Sequence, residues 1–260
     1  MRLGLSSAGF YGRMETEEAA ASLRGYPIET CEVFLQSFSE YTEDFGRLVR
    51  SGMGALPCAS VHPKGTQFES DLFSRSPRQT EDAFRWFRGV CEAGEAIGAR
   101  YYVMHGFWGI RTQRTPVQVN ALAERMARCQ SIAAAHGMEV LWENVSWCTL
   151  RTPEHVLEVR ELLPEQGFVM DVKQAMEAGA APADMVRAMG PALRHVHVLD
   201  KGPRGYALPG MGTMDWQAFF AALREIDYGG AVILEPYEPQ TRDDAALRRS
   251  LEFLQRFMAD

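Results

Sequence analysis

Four strand-like apolar runs in the second half of the sequence end on, or carry, a residue type that binds divalent cations. "MEVLWEN" reaches Glu143, "GFVMD" reaches Asp171, "LRHVHVL" carries His197 and "AVILE" ends on Glu235. A carboxylate at the end of a buried strand is costly unless a cation meets it. Three carboxylates brought together also repel one another, and one divalent ion answers both difficulties. Oxygen-rich ligation with one imidazole suits Mn²⁺, Mg²⁺ or Co²⁺, with Zn²⁺ also possible. The alternative for each carboxylate is a buried salt bridge to Arg or Lys.

Such a cage serves proton transfer next to a carbonyl. The ion polarises carbonyl and hydroxyl oxygens, and one carboxylate removes the proton while another, or the same one, returns it. Return to the neighbouring carbon makes an aldose–ketose isomerase, and return to the opposite face makes an epimerase. Both remain open. His62 and His105 end two earlier runs and read as substrate hydrogen-bonders, with second-ion ligands or plain rim histidines as alternatives. His195, two residues before His197, sits deeper on the same face. Glu32 in "CEVF" is expected to tie loops together. Lys173 is near Asp171 in sequence but is expected to diverge at the loop. Arg204 and Lys201 follow the seventh run, where an anion site or a solvated loop could form. Trp108, Trp142, Trp147, Phe10 and Tyr11 could floor a sugar site, and Cys148 is expected close enough to the rim for thiol reagents.

The elements that must position these residues recur along the whole chain. Strand-like runs span 2–7, 30–35, 55–62, 100–105, 138–144, 167–171, 193–199 and 231–235. Their starts lie about 33 residues apart on average, the size of a βα unit. Between them, 78–99, 115–137, 152–164 and 243–258 carry 3.6-period apolar faces or Thr-Pro start signals. Eight strands without a boundary predict a single (β/α)8 TIM barrel over 1–260. No Gly-x-Gly-x-x-Gly follows the first run to support the alternative, an open doubly wound sheet. Chemistry in such barrels gathers at the C-terminal strand ends. Neighbouring strands are about 4.8 Å apart, so Glu143, Asp171, His197 and Glu235 on four successive strands can converge.

The bulk numbers fit a soluble globular protein: 260 residues, 46% hydrophobic and 23% charged. No apolar run is long enough for a membrane span, and "MRLGLSSAGF" lacks the apolar core of a signal peptide. Five cysteines without CxxC spacing suggest reduced thiols and a cytoplasmic protein. A net charge of −7 opposes a general nucleic-acid binder. The expected partner is a small sugar or sugar derivative, with homo-oligomerisation open.

At these residues the chain resembles the xylose-isomerase-like TIM barrels, the superfamily of sugar isomerases, sugar 3-epimerases and endonuclease IV. The resemblance covers essentially the whole chain and is carried by "WEN" (142–144), "MDV" (170–172), "HVHVLD" (195–200), "LPGMGTMDW" (208–216) and "ILEP" (233–236). It implies metal ligation by Glu143, Asp171, His197 and Glu235, with the two glutamates as an acid/base pair on either face of the substrate. Two positions depart from the family pattern. Gln174 stands where a histidine commonly follows the strand-6 aspartate, and Met211 stands where a glutamate is common. Gln174 could still hydrogen-bond a substrate hydroxyl. Similarity to endonuclease IV at His62, His105 and Glu143 implies a possible second ion there. The residues of that enzyme's third site are missing, which opposes a three-metal phosphodiesterase. A metal-dependent phosphodiesterase with fewer ions is the alternative function, beside a related lyase or dehydratase and a metal-binding barrel without turnover.

Overall fold

The computed structural model describes residues 1–106, 119–203 and 205–259. Strands β1 (Arg2–Ser6), β2 (Thr30–Leu35), β3 (Cys58–Pro63), β4 (Tyr101–Met104), β5 (Glu139–Glu143), β6 (Gly167–Asp171) and β7 (Leu193–Val198) run parallel. A short antiparallel hairpin follows, β8 (Asp200–Gly202) with β9 (Gly205–Ala207), and then β10 (Ala231–Leu234). The barrel closes in the order β1-β2-β3-β4-β5-β6-β7-β10, with β10 bonded back to β1. Around it lie α1 (Thr16–Ser22), α2 (Glu43–Met53), α3 (Pro77–Ile97), α4 (Val119–Ala135), α5 (Pro153–Leu162), α6 (Val172–Glu177), α7 (Pro182–Met189), α8 (Trp216–Glu225) and α9 (Asp244–Ala259). This is a (β/α)8 TIM barrel.

The expected elements reappear with small shifts. The third strand begins at Cys58 rather than residue 55, because Leu56 is still turning back to Met53 and Pro57 has no N–H for a ladder. The segment read as a loop after β7 instead makes the hairpin. Residues 115–118 of the helix expected over 115–137 lie outside the described residues. Among the described residues no helix is long and apolar enough to cross a membrane.

The apolar residues divide as a barrel requires. One large cluster fills the space between strands and helices. Tyr101, Val103, Leu141 and Val169 form a separate cluster, as do Ala59, Ala231 and Ile233. These small clusters belong to the barrel interior, since alternate strand residues face opposite sides. Continuing the same alternation upward puts His105, Glu143, Asp171 and Glu235 above them. The register does the rest: Asp171 pairs with His197, and His197 with Ile233, two residues short of Glu235.

Helix α2 approaches α3 closely at Gly46. A Cβ there would meet the Ala93 carbonyl oxygen at 2.4 Å and Ala96 Cβ at 2.8 Å. Gly46→Ala should therefore cost about 1–3 kcal/mol and lower the thermal midpoint by roughly 2–10 °C. Gly25→Ala, with nothing within 4 Å of the added Cβ, should change stability by less than about 0.5 kcal/mol. Thermal melts of the two variants side by side check the contrast.

Candidate functional site

Glu143, Asp171, His197 and Glu235 are all buried at the C-terminal mouth, each offering a ligand atom within 4.8 Å of the others'. His197 Nδ1 lies 3.2 Å from Glu143 Oε1 and 3.8 Å from Glu235 Oε2. Asp171 is fixed twice over. Its Oδ1 caps α6 by accepting the Gln174 N–H at 2.9 Å. Its own N–H donates to Asn144 Oδ1 at 2.8 Å, and Asn144 Nδ2 donates back to its carbonyl at 2.9 Å. Asn144 is thus the clamp that ties the end of β5 to the end of β6. The sequence held a signal for it, since Asn144 directly follows Glu143 in "WEN".

His62 and His105 join the cage at Glu143, with Nε2 atoms 3.5 and 3.0 Å from Glu143 Oε2. Burial alone would raise the Glu143 pKa, but His105, then His197 and His62, hold the carboxyl well below its usual range. For His62, burial would lower the pKa, but Glu143, Glu32 and Glu235 push it up to about 9. Burial likewise works against the charged form of His197, yet Glu32, Glu235 and Glu143 keep its pKa well above the ordinary value.

Glu32 has a role its sequence position did not suggest. It is 0% exposed and ties interior groups rather than loops. His197 Nε2 lies 2.8 Å from Glu32 Oε2, while Ser6 Oγ and Ser60 Oγ donate to the two Glu32 oxygens at 2.9 and 2.8 Å. A carboxylate on Nε2 leaves Nδ1 turned to the cage, the arrangement that orients a metal-binding imidazole. His195 lies beneath, with Nε2 3.1 Å from Ser60 Oγ and 3.4 Å from Glu32 Oε2. It reaches the cage through Glu32, and burial lowers its pKa.

Lys173 overturns an expectation. It does not diverge: Asp171 caps α6, so the chain turns at once and the second helical residue folds back over the mouth. Its ammonium lies 2.9 Å from Asp171 Oδ2 and hydrogen-bonds Glu235 Oε2. Burial would lower the Lys173 pKa, but Asp171 and Glu235 hold it well above normal. Asp171 is raised to about 7 by burial, with Glu143 and Glu235 adding to the rise and Lys173 opposing it.

Around the rim, Gln174 Oε1 accepts from Ser146 N at 3.0 Å and Ser146 Oγ at 2.8 Å. Its oxygen therefore braces the β5–α5 loop. Trp147 packs edge-on to His105 with ring centroids 5.7 Å apart, and Tyr11 packs on Phe34, which packs on His62. Trp142 does not join this wall. It alternates outward into the helix-facing core, where its Nε1 donates to the His105 carbonyl. Cys148 is also buried, and burial pushes its thiol pKa up, so the expected reach of thiol reagents fails. Met211 is 50% exposed, on a loop organised by buried Asp200, which accepts from Gly212 N, Met214 N and Trp216 Nε1. Trp108 and Arg204 lie outside the described residues.

The donor set fits a divalent ion. Glu143 Oε2 and Asp171 Oδ2 are buried and accept no hydrogen bond of ordinary geometry. Two such acceptors beside a buried imidazole and a third carboxylate oxygen, from Glu235, make an oxygen-rich ligand group with a carboxylate-oriented histidine. His62, His105 and Glu143 form a second group of potential ligands.

The profile of the family described as xylose isomerase-like TIM barrel matches residues 17–257. A D-psicose 3-epimerase of Agrobacterium fabrum is 44% identical over 54 residues, 21% of this chain and 18% of that enzyme's length. An inosose dehydratase of Clostridium botulinum is 21% identical over 234 residues, 76% of this chain and 75% of that enzyme. A crystal structure of D-psicose 3-epimerase in the presence of D-fructose superposes with a TM-score of 0.82 at 16% identity, covering 100% of both chains. The chain belongs to the xylose isomerase-like TIM barrel family.

Proposed function

We propose that the chain is a divalent-metal-dependent isomerase or epimerase of a sugar, sugar phosphate or sugar acid. The observation that carries this is the convergence of Glu143, Asp171, His197 and Glu235 at the barrel mouth. These four residues would hold the ion, with His62, His105 and Glu143 available for a second. When bound, the ion would polarise the substrate's carbonyl and neighbouring hydroxyl and so acidify the adjoining C–H.

The protein's own residues do the remaining work. Glu143 is held ionised by three imidazoles and is competent to accept a carbon-bound proton. Glu235, three strands away around the barrel wall, is its partner for the return. His62, His105 and the Gln174 amide hold substrate hydroxyls, while Tyr11, Phe34 and Trp147 cover the apolar face of the sugar. Local similarity to a D-psicose 3-epimerase sequence and the fold shared with a D-psicose 3-epimerase crystal structure support this reading. A second reading, dehydration, draws on the extended similarity to an inosose dehydratase. It begins with the same proton removal and then expels a β-hydroxyl.

Protein purified without chelator should contain divalent metal, and Asp171→Ala should lose it, as read by elemental analysis. Chelation should lower the melting midpoint, and Mn²⁺ at about 100-fold above Kd should restore about 2.7 kcal/mol. Equal metal content in the two proteins refutes the ligand assignment.

Mn²⁺-loaded protein should exchange a substrate carbon-bound proton with D₂O, followed by NMR over a panel of ketoses, aldoses and their phosphates. Glu143→Gln and Glu235→Gln should each slow exchange by about 10²-fold or more. An unsaturated product appearing at the rate of exchange would instead select the dehydratase.

The metal-free protein should also respond to pH. His62 titrates at about 9 when folded and near 6.5 when unfolded. Its contribution is complete below about pH 6.5 and is lost as pH rises through 9. Chelated protein should therefore melt lower across that window, and Glu143→Gln, which removes the neighbouring negative charge, should flatten the decline.

A further inference from the structure

Lys173 is only 6% exposed, yet it carries a charge into the cage. Its partners are not spare acceptors. Asp171 Oδ1 is committed to capping α6, which leaves Oδ2 for an ion, and Lys173 Nζ stands 2.9 Å from Oδ2. On the other side it holds Glu235 Oε2, the same oxygen that lies 3.8 Å from His197 Nδ1. An ammonium and a divalent ion therefore compete for the same two oxygens. The ammonium already lies over the Tyr237 ring, 5.4 Å from its centroid, and Tyr237 reaches the surface, so this contact can be kept when the oxygens are taken. A cation over an aromatic face is favourably placed even without a carboxylate partner.

We propose that Lys173 is a tethered counter-ion of the Asp171–Glu235 pair, which neutralises the cage before a divalent ion binds and yields both oxygens when one does. This rests on the metal-binding role proposed above for the cage. Lys173 is thus a positioning residue, acting through the two carboxylates. It keeps the metal-free barrel folded, since an uncompensated buried carboxylate is strongly destabilising. It also weakens ion binding, because the ion must displace a cation that cannot diffuse away.

The test uses Lys173→Met, which keeps the stem and removes the charge, and Lys173→Gln, which keeps a hydrogen-bond donor. Each is freed of metal, melted, and titrated with Mn²⁺ by calorimetry. A variant that folds only with metal is purified loaded, and its affinity is read by chelator competition. Both variants should melt about 5 °C or more below the parent when metal-free. Both should bind Mn²⁺ about tenfold or more tightly than the parent. A merely structural lysine would lower stability without tightening the ion. Equal or weaker Mn²⁺ binding in the variants therefore overturns the proposal alone. Absence of Mn²⁺ binding in all three proteins overturns it together with the metal-binding role.

Discussion

Four buried carboxylates, Glu32, Glu143, Asp171 and Glu235, stand within one barrel interior, and the rest of the site is arranged to neutralise them. Isolated, each would carry a desolvation cost of several kcal/mol. The structure distributes the compensation by layer. Glu32 takes hydroxyl donors from Ser6 and Ser60 and faces His197. Glu143 is ringed by His62, His105 and His197, and Asp171 and Glu235 share Lys173. Histidine protonation and one lysine can thus balance most of the charge without an external ion. That balance has a consequence for binding. A divalent ion entering the cage would have to displace protons from His62 and His197 as well as meet carboxylates, which would link its affinity to pH.

Rigidity comes from the order in which the layers are locked. The apolar layers of Tyr101, Val103, Leu141 and Val169 and of Ala59, Ala231 and Ile233 fill the barrel interior. Glu32 orients His197, and Asn144 fixes the Asp171 backbone. The candidate ligands therefore stand in or next to strand ends, among neighbours that are themselves buried. Such support preserves ligand geometry without an ion's help.

Much of this was legible in the sequence because β-strands alternate strictly and barrels place chemistry at one end. Those two rules were enough to bring Glu143, Asp171, His197 and Glu235 together from strand-end positions. They could not show what Glu32 does, because its partners Ser6, Ser60 and His197 lie far away in sequence on three other strands. Trp142 shows the opposite error. It sits one residue before Glu143, and the same alternation that turns the glutamate inward turns the tryptophan outward. Lys173 departs from expectation for a local reason: a loop after Asp171 would carry it away, whereas the Asp171 side chain caps a helix there and turns Lys173 back over the mouth.

The two departures from the family pattern fall in different layers from the cage, and this separates its charge balance from the recognition of a substrate. Met211 is exposed on a loop whose shape is set by Asp200, and Gly212 is required there because a Cβ would stand 2.2 Å from Asp200 Oδ1. Gln174 spends its oxygen on Ser146, converting a position that could have carried a titratable ring into a neutral brace. Neither change adds or removes a buried charge, so the compensation among carboxylates, imidazoles and Lys173 stands whatever occupies those positions. What they alter is the set of donors and apolar surfaces at the rim above the cage. A barrel of this kind can therefore exchange its rim while keeping its cage, since the electrostatic constraint acts on the buried layers alone.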